Sequence, residues 1–146
     1  MKKLVFAIAL FIGASAFTVL NDGSKDLVGK WKYDEASYPA ARKVLIETVR
    51  KQSPEQVEQI EAMGEQLDQL LGTLTFEYKA NGEYEIVTPQ GPQGGKWTIT
   101  NDGKYLERQY NNGGPARKDS IIEIKADRIK LFDLDAKEKL EYIKAD

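Results

Sequence analysis

From residue 74 to residue 142 the chain alternates apolar and polar residues with period two, broken only by short turn-forming segments. Successive side chains of a strand point to opposite faces, so this pattern builds a sheet with one apolar face. Leu74, Phe76 and Tyr78 alternate with Thr75, Glu77 and Lys79. Tyr84, Ile86 and Thr88 follow, then Trp97 and Ile99, then Leu106, Arg108 and Tyr110. Ile122 with Ile124, Ile129 with Leu131, and Leu140 with Tyr142 continue the series. Leu27, Gly29, Trp31 and Tyr33 show the same period earlier in the chain, giving about eight strands by this count.

The turns fix the register, because directly opposed residues share a face. Tyr78 must oppose Tyr84, which leaves Ala80-Asn81-Gly82 as a loop with Gly82 in the left-handed position. Asp102-Gly103 fits a tight primed turn that sets Ile99 against Leu106 and Trp97 against Arg108. Ala126-Asp127 sets Ile124 against Ile129, and Asp135-Ala136 sets Leu131 against Leu140. Pro89 to Gly95 and Asn111 to Arg117 are looser breaks. Consecutive hairpins form an up-and-down meander, and closing it removes the exposed edges. The expected fold is mainly β: an eight-stranded antiparallel up-and-down barrel over residues 27–146.

Residues 39–72 lack the alternation and are rich in Glu, Gln, Leu and Ala. Pro39 suits a first helical position, and Ala41, Val44, Leu45, Thr48 and Val49 share one helical face. Ser53-Pro54-Glu55-Gln56 reads as a capping box that starts a second helix. Val57, Ile60, Gly64, Leu67 and Leu71 form its stripe, and Gly72 is the expected stop. The barrel therefore carries a two-helix insert between its first and second strands. The pair is read as a mobile lid, a fixed cap or a surface for a protein partner.

The first residues constrain location. Lys2 and Lys3, the apolar run Leu4 to Ile12 and Ala14-Ser15-Ala16 have the pattern of a secretory signal peptide over 1–16. The run is shorter than the ~20 residues needed to span a bilayer. Residues 17–26 read as a flexible lead-in. Removing 1–16 takes away Lys2 and Lys3 from 21 basic residues and none of the 23 acidic ones, for a net charge of −4. That balance argues against nucleic acid and anionic membrane surfaces as partners. The chain has no Cys, so a lipidated cysteine, a disulfide and thiolate chemistry are excluded. It has no His, which removes His-based triads and the usual zinc ligands. The expectation is an exported protein, periplasmic or extracellular, without a lipid or membrane anchor.

Several segments taken together resemble the exported bacterial lipocalin-like domains of the calycin superfamily. Leu27-x-Gly29-x-Trp31 is similar to the opening of a lipocalin first strand. Phe76…Gly82-x-Tyr84, Gly95-x-Trp97…Asp102-Gly103…Leu106 and Ile122-x-Ile124…Ile129-x-Leu131 are similar to the hairpins that follow. Two features depart from that family. Its first-strand Trp packs against an Arg near the last strand, where this chain offers Lys139 and Lys144. Its long helix follows the barrel, whereas the helices here follow the first strand, as in intracellular fatty-acid-binding proteins. The resemblance implies a barrel and small-molecule binding, with no particular ligand or cofactor.

Arg108 is the residue with most chemistry in it. Alternation places it inward, opposite Trp97 and beside Tyr110. An interior guanidinium is costly unless paired. Its partner is the carboxylate of an acidic ligand, with Tyr110 donating to the same group, or an internal Glu; otherwise it lies at the rim and stacks on Trp97. Phe76, Tyr78, Tyr84, Trp97 and Tyr142 either line an apolar pocket with it or fill the barrel completely. Trp31 is the expected plug of the closed end. Paired acids such as Asp34-Glu35 and Glu83 with Glu85 read as a solvated face rather than a glycosidase pair. Asp133, Asp135 and Glu138 lack the spacing of a calcium loop. No catalytic or metal-binding residue is assigned. The expected function is non-catalytic binding of a small apolar or amphipathic ligand in the barrel. The alternative is a protein-interaction or inhibitor module with a filled barrel.

Overall fold

A computed structural model describes residues 24–100, 103–113 and 116–145. The signal-peptide pattern over 1–16, most of the lead-in, Asp102 and Gly114-Pro115 lie outside these residues. Eight strands run antiparallel in chain order and close into a barrel. They are β1 (Gly29–Tyr33), β2 (Thr75–Tyr78), β3 (Glu83–Thr88), β4 (Gly91–Thr100), β5 (Tyr105–Tyr110), β6 (Arg117–Ile124), β7 (Arg128–Asp133) and β8 (Glu138–Lys144). Tyr33 of β1 opposes Tyr142 of β8, so the last strand returns to the first and the sheet closes on itself. Three helices lie between β1 and β2: α1 (Tyr38–Gln52), α2 (Val57–Ala62) and α3 (Glu65–Thr73).

The registers follow the turns. Tyr78 opposes Tyr84, Ile99 opposes Leu106, Trp97 opposes Arg108, Ile124 opposes Ile129 and Leu131 opposes Leu140. Gly82 has φ +89° and its N–H donates to the Lys79 carbonyl, the left-handed geometry that its loop requires. β3 and β4 are joined more tightly than the sequence implies. Thr88 opposes Gly91, so β4 already contains Gly91 to Gly95, a segment expected to be a loose break. Pro92 is tolerated there because β5 pairs with β4 only from Gly95 onward, leaving Pro92 on an edge.

Three other expectations are corrected. Leu27 ends a helical turn (Lys25–Leu27) instead of starting β1, and its carbonyl accepts from Trp31 Nε1 at 2.7 Å. Ile122 is 50% exposed, not inward, because a β-bulge between Ile121 and Glu123 reverses the phase of β6. The second helix is broken in two. Ser53 makes no side-chain cap, Pro54–Gln56 is a 3₁₀ turn, and Gly64 stops α2 with φ +54° before α3 begins. A helical φ is negative, so the residue with no Cβ is where the chain can turn. α3 then runs through Gly72 to Thr73, one residue past the expected stop.

The core sits inside the barrel and under the helices. Ala41 and Val44 of α1 and Leu67 and Leu71 of α3 are buried, whereas α2 buries no residue. Lys43–Glu138 (2.9 Å) and Lys51–Asp135 (3.1 Å) tie α1 to the β7–β8 hairpin, and Arg42–Asp68 (2.8 Å) ties it to α3. Trp31 of β1 is fully buried. Lys144 Nζ lies 4.2 Å from its ring centroid. Gly29 beside it has φ +139°, a backbone conformation that residues with a Cβ rarely adopt.

Candidate functional site

The inner faces of β5, β6 and β7 bring four charges together. Arg108 and Arg117 are cross-strand partners on β5 and β6, and Asp119 and Asp133 are partners on β6 and β7. Arg108 pairs with Asp119, both with side chains 1% exposed, and it donates to the Tyr78 hydroxyl at 3.4 Å. The interior partner of Arg108 is therefore an Asp and not a Glu, and Arg108 does not lie at the rim. Arg117 donates to Asp133 Oδ2 at 2.6 Å. Asp133 Oδ1 meanwhile accepts from the backbone N–H groups of Asp135 and Ala136, which anchors the carboxylate in its turn.

The electrostatics follow from burial and these partners. Burial pushes the Asp119 carboxyl above the usual carboxylate range, and neighbouring Asp133 adds to the effect; Arg108 and Arg117 pull it down without cancelling it. Asp133 goes the other way. Burial opposes ionisation there, but the Ala136 N–H and Arg117 outweigh it and hold the group below its ordinary value. Burial and Arg108 both work against the charge of Arg117, yet the acids around it, Asp119 foremost, keep it ionised. Burial also raises the hydroxyls of Tyr33, Tyr78, Tyr84 and Tyr142, so they stay neutral at ordinary pH.

Aromatic rings fill the barrel around this cluster. Tyr33 stacks on Tyr142 with centroids 5.0 Å apart, and Phe76 meets both edge-on at 5.0 and 5.4 Å. Tyr78 packs against Tyr84 at 4.9 Å and edge-on against Trp97 at 5.8 Å. Trp97 Nε1 donates to the Lys79 carbonyl at 3.0 Å, so its one polar atom is satisfied. Space remains above this packing. A cavity of about 800 Å³ lies at the end of the barrel covered by α1 and α3. Its lining combines Val44, Leu45, Leu70, Leu71, Leu74, Phe76 and Ile86 with Tyr33, Tyr110, Arg117 and Asp133 and with polar residues that include Glu47, Thr48, Lys51, Gln93 and Asp135.

Of the residues singled out from the sequence, Phe76 and Tyr110 line this cavity. Arg108, Tyr78, Tyr84 and Tyr142 lie deeper and are nearly fully buried, and Trp97 is 5% exposed. None of these five borders the cavity. Arg117, Asp133 and Tyr33 border it and were not among the expected site residues. Tyr33 was visible on the inward face of its strand. Arg117 was hidden by its place at the end of a Gly-rich break. The phase of Ile122 and Ile124, carried back along β6, gives no inward place to Asp119 and Arg117, because the bulge inverts it. No group of His, Cys, Asp and Glu among the described residues is arranged to hold a metal ion.

No protein-family model matches the chain, and no curated protein does. Among solved structures, the crystal structure of a DUF4847 family protein from Bacteroides vulgatus ATCC 8482 aligns with a TM-score of 0.49 and 13% identity, covering 81% of this chain and 94% of that one. Among the described residues, no helix is long and apolar enough to cross a membrane.

Proposed function

We propose that this chain is an exported, lipocalin-like, non-catalytic binder of a small apolar or amphipathic molecule, held at the helix-covered mouth of the barrel. The cavity carries the reading. Its volume of about 800 Å³ falls in the range of small-molecule sites, and its lining joins apolar side chains such as Val44, Leu71 and Ile86 to polar and charged ones such as Thr48, Lys51, Gln93 and Arg117. Export rests on the pattern of Lys2, Lys3, Leu4 to Ile12 and Ala14-Ser15-Ala16. The competing reading, a protein-contact module with a filled barrel, accords with the packed lower half but gives no account of the cavity.

The test is occupancy of that space. Native mass spectrometry of protein purified from its own host compartment should retain a small molecule. An uncharged naphthylamine fluorophore should bind the protein and brighten. Leu70→Trp, which puts an indole into the cavity from a half-buried position on α3, should weaken that binding about tenfold or more while circular dichroism stays unchanged. Equal fluorophore binding by the folded variant and the parent would place binding elsewhere and sink the proposal.

A further inference from the structure

We infer that α2 is a docking surface for a cationic amphipathic helix of another protein. The insert is built in two parts, and only one of them serves the barrel. α1 and α3 bury Ala41, Val44, Leu67 and Leu71, and both line the cavity. α2 buries no residue, and nothing between residues 53 and 69 lines the cavity. The Pro54–Gln56 turn and the break at Gly64 set α2 apart from both neighbouring helices. The surface is therefore separate from the cavity and does not depend on a ligand there.

α2 is nevertheless not polar all round. Val57 and Ile60 lie one turn apart and Met63 follows at the same spacing, so the three form a row along the helix. All three are half-buried, and none belongs to the barrel core or packs against it. Beside that row the charge is of one sign. Glu55, Glu58 and Glu61 repeat at every third residue, and Glu65 follows at the start of α3. All four are exposed, and none joins an ion pair among the described residues. The chain has no Lys or Arg between residues 52 and 78. On the barrel wall, by contrast, Glu107 meets Lys118 and Glu123 meets Lys130 across neighbouring strands. Glutamates three apart on a helix repel one another, and no base of this chain relieves these. Charge complementarity names the occupant. It is a helix with its own apolar stripe flanked by Lys or Arg, laid with the stripe on Val57, Ile60 and Met63 and its cations against the glutamates. The same acids repel nucleic acid and anionic membrane surfaces.

The probe is a fluorescein-labelled peptide of leucine and lysine, about five turns long, with leucine at helical spacing. Titrated against the full chain and followed by anisotropy, it should bind with a Kd of about 100 µM or tighter. The same pattern with glutamate in place of lysine should not bind. Ile60→Ser should weaken binding about tenfold or more. Glu55→Gln/Glu58→Gln/Glu61→Gln should weaken it about fivefold and leave the remainder insensitive to salt. Because α2 buries no residue, both variants should keep the circular dichroism and thermal midpoint of the parent. Unchanged binding by folded Ile60→Ser overturns the inference, as does equal binding of the lysine and glutamate peptides. A leucine–lysine peptide of scrambled order that binds as tightly reduces the contact to unspecific attraction and overturns it too. Sedimentation of the parent tests the other occupant: a dimer that Ile60→Ser dissolves assigns the face to a second copy of the chain and overturns the helix partner.

Discussion

Replacing Asp119 by Val leaves the Arg108 guanidinium buried with only the Tyr78 hydroxyl at 3.4 Å as a partner. An uncompensated interior charge of this kind costs about 3–5 kcal/mol. Arg108→Met leaves Asp119 in the complementary position, with Arg117 still nearby, and falls in the same range. Independent effects would sum to about 6–10 kcal/mol, comparable to the whole stability of a domain this size. The double variant should behave otherwise. It removes both charges together, and the wild-type pair is imperfectly satisfied, since Arg108 Nε and Asp119 Oδ1 are buried without a hydrogen-bond partner among the described residues. Replacement of a buried ion pair by apolar residues is then near neutral or stabilising by about 1–4 kcal/mol. The double variant should cost less than either single one. Urea unfolding followed by fluorescence of Trp31 and Trp97, both buried, measures all four proteins. A double variant as unstable as the sum of the singles would refute the claim that Arg108 and Asp119 pay each other's desolvation.

Two further outcomes follow from the interior. Burial pushes the Tyr78 hydroxyl up to about 12 and raises Tyr33, Tyr84 and Tyr142 as well. The folded chain then keeps protons that the unfolded chain loses above pH ~10, so stability is intact below that pH and falls as pH climbs toward 12. Tyr78 alone removes about 3 kcal/mol across that window, and tyrosinate absorbance of the folded protein should lag that of the urea-unfolded chain; coincident titrations would contradict the burial. Gly95→Ala should cost about 3 kcal/mol, the upper end of overpacking, because its Cβ would lie 2.3 Å from the Gln109 carbonyl oxygen on the paired strand. Gly72→Ala meets only the flexible tip of Tyr38 at 2.9 Å, inside a helix that favours Ala, and should cost less than about 1 kcal/mol; similar losses at both positions in thermal unfolding would show that backbone approach is not the cause.

The barrel was legible because its signals are local. Tyr78 against Tyr84 depends on a three-residue loop with Gly82, and Leu131 against Leu140 on the turn around Asp135. Each hairpin is set by a few adjacent residues, and agreement among them leads to a closed sheet. The helical insert was legible in existence and not in shape. Leu67 and Leu71 keep their spacing on either side of the reading, but Gly64 looks like one more helical position until its φ of +54° is known. The candidate site was the least legible part. Phe76 and Tyr110 reach the cavity as inward residues at the helix-covered end. Arg108 is equally inward but lies below it, and nothing in the period of a strand reports depth along a barrel.

Sequence by itself determined the number of strands, their order, the registers of four hairpins and which face of most strands is apolar. Those properties follow from the alternation of side chains and the geometry of short turns, which act over a few residues. Only the tertiary structure decided which charges meet inside and where room is left. The bulge after Ile121 turned Asp119 and Arg117 inward, so that the interior Arg108 has its counter-ion within the barrel. The cavity depends on the summed volume of rings contributed by several strands and on where α1 and α3 rest above them. Neither quantity belongs to any one stretch of the chain, and both emerge only when distant segments are packed together.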